Sequence, residues 1–262
     1  MPHIERPVNV PSKGNQKLAK FMELINSDEE LIQLWKCANT NAVTRSGMSD
    51  HGLVHMQIVA NGAYKMLRLL VEGGVTPSVV RDHGLETDDA GVIVVAGSLF
   101  HDLGMAIQRE NHEIYGIPLA WDILKRLLSP LYDIAGRTIV ASEILHCIIA
   151  HQSNEACLTI EAGAVKVADS LDMTQGRSRI PFQSGQINIH SVSAWAIESV
   201  GLSKGQDKPI HVEILMNNYA GIFQLDELLK PKLLNSSIAP YVEVSASISG
   251  EPGKDLGVVY SL

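Results

Sequence analysis

Cysteine is scarce. Only Cys37, Cys147 and Cys157 occur in the 262 residues, and no two of them form a CxxC pair. That argues against a disulfide scaffold and a cysteine-rich zinc site, and it fits a reducing compartment. Positive charge is also short: 21 Lys and Arg stand against 29 Asp and Glu, a net charge of −8. A protein that grips a phosphate backbone concentrates positive charge, so general nucleic-acid binding is not expected, although a local basic pocket is allowed. The N-terminal MPHIERPVNV has no apolar signal core. The most apolar stretch, Gly91 to Phe100, is about half the length of a bilayer span. No membrane partner and a cytoplasmic location are therefore expected. No internal repeat is visible. What is present is a hydrophobic content of 45%, enough to build a real core. The length allows either one large domain or two unequal ones.

The first two-thirds of the chain reads as helical. Leu18, Phe21, Met22 and Ile25 recur at helical spacing over 15–26. Ser27 with Glu30 reads as a capping box that opens a second helix through Leu31, Leu34, Trp35 and Ala38. Ser49 or Asp50 can cap the next helix, which carries Val54, Ile58, Met66 and Leu70 and ends at Gly73-Gly74. The run 88–103 suits a buried helix by its length, although its β-branched residues also allow a strand, and helical patterns recur at 111–128, 136–150 and 160–173. After Pro181 the texture changes. Ile187 and Ile189, residues 211–216 and residues 242–248 alternate with period 2 and read as strands, with a turn at 203–209. Gly221 to Leu234 is a helical segment with Leu225, Leu228 and Leu229 as its apolar stripe. The expectation is a mainly α protein: a helical body over 1–185 and a small α/β appendage over 186–262 of order β-β-α-β. The exposed edges of so small a sheet make pairing with a second chain, and hence a homodimer, plausible.

Histidine is the commonest metal ligand and the usual acid–base residue near neutral pH. Seven of the ten histidines lie between residues 51 and 151. His101-Asp102 follows directly on the apolar run, and burying two such residues without partners is costly. His51 lies one turn before His55 on the same helical face. His112 opens a helix and His151 closes one. Asp169 falls four residues after Val165, on an otherwise apolar stripe where a carboxylate needs a partner.

The ordered series His55, His101-Asp102, His112, His151, Asp169, with its contexts VVAGSLFHDLG, HEIYGIPLAWDIL, IIAHQ and KVADSLD, resembles the HD-domain metal-dependent phosphohydrolase superfamily over about residues 50–180. The resemblance implies an HD-domain helical bundle. It implies His55, His101, Asp102 and Asp169 as ligands of a first metal, and His112 and His151 as the further ligands of binuclear members, with Asp102 bridging. Imidazole and carboxylate suit Mn, Fe, Ni, Co or Zn, with Mg also possible, and six such groups are too many for one tetrahedral zinc. Five residues turn a helix by ~140°, so His146 and His151 do not easily aim at one metal. His151 is preferred because the family places its histidine at the end of that helix. Asp172, one turn beyond Asp169, suits a helix-end or supporting role. HD-GYP phosphodiesterases carry Lys three residues after the His-Asp pair; here Met105 stands in that place and no GYP tripeptide occurs, so cyclic-di-GMP hydrolysis is not expected.

These readings lead to a metal-dependent phosphohydrolase acting on a small phosphomonoester or phosphodiester, nucleotide-derived substrates included. Asp102 and His51 are its candidate catalytic groups. Arg177 and Arg179 are candidates for the substrate phosphate, since Arg suits bidentate phosphate recognition, with Arg109 and Lys166 weaker. The competing classes are a non-catalytic regulatory protein that keeps the metal cage, and a di-iron oxygenase of HD type.

Overall fold

The computed structural model describes residues 7–174, 189–249 and 255–260. Helices α1 (Gln16–Ser27), α2 (Glu29–Asn39), α3 (Leu53–Glu72), α4 (Ser78–His83), α5 (Thr87–Phe100), α6 (His112–Leu128), α7 (Ile134–Ala150) and α8 (Ile160–Leu171) form the body. α5 lies at the centre. From Ala90 to Phe100 every residue is buried, and α3, α7 and α8 pack around it. The run Thr87–Ala106, taken with its flanks, is in fact long and apolar enough to cross a membrane, but 94% of it is buried inside the protein. Burial on all sides by other helices explains that composition: a helix that is apolar all round needs apolar neighbours, and here protein supplies them.

The start of α2 differs from expectation by one residue. Asp28, not Ser27, is the N-cap: its carboxylate accepts from the Leu31 backbone N–H at 2.9 Å, while the Ser27 hydroxyl donates back to the Leu24 carbonyl. Adjacent Ser and Asp both offer a capping oxygen, and α1 continues through Ser27. Helix α3 ends at Gly73, as its sequence indicates, with Gly74 at φ +84°.

The C-terminal part begins with α9 (Ile189–Trp195), so Ile189 is helical rather than a strand residue; Ile187 lies outside the described residues. The first strand is β1 (Ile197–Lys204), which pairs antiparallel with β2 (Ile210–Met216) across the turn read from the sequence. β2 pairs parallel with β3 (Val242–Ile248), and β3 pairs antiparallel with β4 (Asp255–Tyr260), giving the order β1-β2-β3-β4. The parallel pair requires a crossover. It is supplied by a helical stretch made of α10 (Ile222–Gln224), a π-helical turn over Leu225–Leu229, and α11 (Lys230–Leu234). Pro231 has no N–H to give back along this helix, which accounts for the widened turn before it.

Ile210, Val212, Ile214 and Met216 of β2, and Val242, Val244, Ala246 and Ile248 of β3, turn one face inward. Leu225, Leu229 and Leu233 of the crossover helix are buried in the same cluster, whereas Leu228 is 37% exposed and leaves the stripe. This face joins the same hydrophobic cluster as the helical body. Polar ties fix the junction: Cys157 N–H donates to the Asn235 carbonyl at 3.1 Å and the Ser237 hydroxyl to the Thr159 carbonyl at 2.5 Å.

Candidate metal centre

Five helix ends converge at one point of the body. His101 caps the C-terminus of α5 and His151 that of α7. Asp169 lies in the last turn of α8, with Asp172 as its cap. His55 lies in the first turn of α3 and His112 opens α6. The C-termini of three helices carry partial negative charge, which favours a cation between them. The chain on both sides of Asp102 is held in place by α2 and by the π-helical turn Thr40–Arg45 that follows it. Trp35 Nε1 donates to the Leu99 carbonyl at 2.8 Å, and Asn41 Nδ2 donates to the carbonyls of Met105 and Ala106 at 2.8 and 2.9 Å. Gly104 lets α6 approach. A Cβ there would collide with the His112 carbonyl, so only glycine lets His112 come up against Asp102. Asn111, at φ +56°, makes the turn into α6.

Four imidazoles present their Nε2 atoms inward. The His55 and His101 Nε2 atoms are 3.2 Å apart, and so are those of His112 and His151. Each ring is fixed through its other nitrogen. His55 Nδ1 donates to Asp172 Oδ2 at 2.6 Å, His101 Nδ1 to the Ser98 carbonyl at 2.7 Å, and His151 Nδ1 to the Ile148 carbonyl at 2.6 Å. His112 Nδ1 has the Arg109 carbonyl at 3.0 Å and Glu113 Oε2 at 3.5 Å, against one competing donor, Arg109 Nη1, at 3.2 Å. At hydrogen-bond geometry the ring thus meets one acceptor, the Arg109 carbonyl, and one donor, Arg109 Nη1. With Nδ1 of His55, His101 and His151 protonated, their neutral rings turn Nε2 lone pairs into the cluster, an arrangement that repels unless a cation lies between them.

Asp102 spans the two histidine pairs. Its Oδ2 lies 3.5 and 3.3 Å from the Nε2 atoms of His55 and His101, and its Oδ1 lies 3.0 and 3.7 Å from those of His112 and His151. Asp169 Oδ1 is 3.3 Å from His55 Nε2 and 3.7 Å from His101 Nε2. Three sets have ligand atoms within 4.8 Å of one another and could hold a metal ion: His55, His101, Asp169; His101, Asp102, His151; and His112, Glu113, His151.

The HD domain family model matches residues 55–174, from the first of these histidines to just past Asp172. The uncharacterized protein MJ1020 of Methanocaldococcus jannaschii is 43% identical over 231 residues, covering 88% of this chain and 89% of that protein. The chain belongs to the HD domain family. No solved structure matches it.

The electrostatics of this HD domain fit a cation. Burial lowers the proton affinity of His101, but the carboxylates of Asp102 and Asp169 outweigh it and push the imidazole up to about 10. A field that holds a proton there favours a divalent cation still more. Burial, then the charges of His101 and Lys232, hold His151 well below the ordinary histidine range. Burial works against ionising Asp102 and Asp169, yet both are held well below the usual carboxylate range. His101 and His112 do this for Asp102; Lys232, His101 and His55 do it for Asp169.

The HD domain thus brings His55, His101, Asp102, His112, His151 and Asp169 together. His51 lies beside them, its ring 5.7 Å from that of His55 and its Nδ1 on the Ser49 carbonyl at 2.8 Å. His146 is turned away, its Nε2 accepting from the Leu158 N–H at 3.0 Å. Lys166 is buried with its ammonium on the Glu155 carbonyl, which leaves it no place in the cluster. Arg177 and Arg179 lie outside the described residues. Sequence reasoning missed two groups. Glu113 follows His112 directly, where an acidic residue in a first helical turn reads as ordinary dipole compensation. Lys232 comes from α11 and pairs with Asp169 Oδ2.

Proposed function

We propose that the protein is a metal-dependent phosphohydrolase that cleaves a small phosphomonoester or phosphodiester, nucleotide-derived substrates included. The observation that carries this reading is the set of four inward Nε2 atoms, each ring tied through Nδ1, with Asp102 facing both pairs. His55, His101, Asp102 and Asp169 would hold one divalent transition metal. His112 and His151 would hold a second, with Asp102 shared and Glu113 within reach. A metal so bound supplies Lewis acidity, which activates water near neutral pH and stabilises charge on a phosphoryl oxygen.

The chain's own residues do the rest. Asp172 keeps the His55 ring oriented through its 2.6 Å hydrogen bond. The carbonyls of Ser98 and Ile148 do the same for His101 and His151. His51, whose Nδ1 proton is held by Ser49, keeps Nε2 as its basic nitrogen and is placed to carry a proton at the edge of the cluster. Mixed imidazole and carboxylate donors suit Mn, Fe, Co, Ni or Zn.

The test is a phosphate-release screen over phosphomonoesters and phosphodiesters with Mn, Fe, Co, Ni, Zn or Mg. Release that requires metal and disappears in Asp102→Asn is expected. No release under any metal, or release undiminished in Asp102→Asn, would overturn the proposal.

A further inference from the structure

The C-terminal part, outside the matched HD domain, places one cation in the cluster. Lys232 projects from α11, and its ammonium pairs with Asp169 Oδ2, while Oδ1 of the same carboxylate faces His55 and His101. Asp169 is the most open of the six clustered residues: its side chain is 12% exposed, against 0–5% for those of His55, His101, Asp102, His112 and His151. The ammonium therefore lies where the cluster meets the outside, and its own side chain is 13% exposed. It is held there, because α11 packs on α8. Leu233 is buried, Asn235 Nδ2 donates to the Ser153 carbonyl at 2.9 Å, and the Asn235 carbonyl accepts from Cys157.

An ammonium on a ligand carboxylate does not help to bind a metal. It repels the cation and draws electron density from the ligand. It does suit an anion that approaches the cluster from its open side, and lysine serves phosphate as a compact point charge. Resting on the phosphohydrolase reading above, we propose that Lys232 is the phosphate-binding residue of the site, so that the C-terminal appendage completes it. The substrate phosphate reaches the donor cluster at the Asp169 side, with one of its oxygens on Lys232 Nζ.

The test uses the full-length chain loaded with Mn, with Lys232→Met, Lys232→Gln and Lys232→Arg. Mn affinity is measured by chelator competition, and binding of inorganic phosphate by calorimetry at saturating Mn. Losing one charge-assisted hydrogen bond should weaken phosphate binding in the Met and Gln variants by roughly tenfold or more. Mn affinity should be unchanged or tighter, and Arg should restore most of the phosphate affinity. The Gln variant keeps a polar partner for Asp169, so it carries the test if the Met variant does not fold. Phosphate affinity unchanged in the Gln variant, with wild type binding phosphate, overturns the role of Lys232 alone. Weaker Mn binding with unchanged phosphate binding makes Lys232 a support for Asp169 and also overturns it. Wild-type protein that binds Mn but no phosphate overturns this inference, whereas the phosphohydrolase reading stands or falls with the phosphate-release screen.

Discussion

Asp172 separates a residue that holds a metal from one that orients a ligand. Its Oδ2 accepts from His55 Nδ1 at 2.6 Å, a short charge-assisted bond inside a nearly closed site. The bond fixes the His55 tautomer, so that Nε2 keeps its lone pair, and it raises the basicity of that nitrogen. Asp172→Asn keeps shape and an acceptor oxygen but removes the charge. Changing such a supporting partner typically weakens metal binding ~10–100-fold, or about 1.4–2.8 kcal/mol. Asp169→Asn, on the inner ring, should lose far more. The assay is Mn or Zn affinity by chelator competition, with metal stoichiometry counted on the same samples and folding checked by circular dichroism. Unchanged affinity would mean that the Asp172 hydrogen bond does not set the ligand. Loss of a whole metal equivalent would mean that Asp172 is itself a ligand.

Two further outcomes follow from named contacts. His151→Ala should reduce metal content, whereas His146→Ala should leave it unchanged, because His146 Nε2 is occupied by the Leu158 N–H; equal losses measured by elemental analysis would reject that division. Glu161, which accepts from the Ser78 and Val79 N–H groups at 3.2 and 3.0 Å, has its carboxyl raised above the ordinary range by burial. A raised acid binds more protons folded than unfolded, so its contribution to stability is present below the ordinary carboxylate range and is lost as pH rises through the folded value. Denaturant midpoints should therefore show wild type losing stability relative to Glu161→Gln across that window, and a flat difference would refute the assignment.

The candidate site was legible because its residues form an ordered series that resembles a known family's, and because they stand at helix ends, where apolar runs stop. His101 ends the most apolar helix of the chain, and His151 ends another, so periodicity alone says where each ring begins to be free of its helix. Periodicity said only that His146 and His151 do not easily share one metal; the family resemblance chose His151, and His146 faces away from the cluster. Less legible was whatever two adjacent residues could do equally well. Ser27 and Asp28 both offer a capping oxygen, and only the continuation of α1 through Ser27 assigns the cap to Asp28. Two alternating residues, Ile187 and Ile189, were too few to define a strand. From Ile189 the chain turns as helix, and the strand that pairs with β2 starts at Ile197.

Lys232 shows why the rest escaped. The reasoning that singled out Asp169, a charged residue in register with buried apolar neighbours, applies to it too. It lies seven residues after Leu225 and three after Leu229, both fully buried. Lys230, two residues earlier, is turned by ~200° on an ideal helix, and it pairs instead with Asp226 on the exposed side. A lysine on that stripe reads as an edge residue whose stem covers apolar surface while its head reaches water. The π-helical turn over Leu225–Leu229 also shifts the phase that periodicity relies on. Its partner, Asp169, stands 63 residues earlier, in another helix. Only the docking of α11 on α8 brings the two charges together, and that docking is built by Leu233, Asn235 and Ser237, none of which carries any chemistry of the site. A cation delivered by one part of the chain to a carboxylate of another leaves in each only a charge on an apolar stripe, and nothing local that names the partner. It becomes visible when the buried stripe of the C-terminal helix is followed to the charged residue that interrupts it.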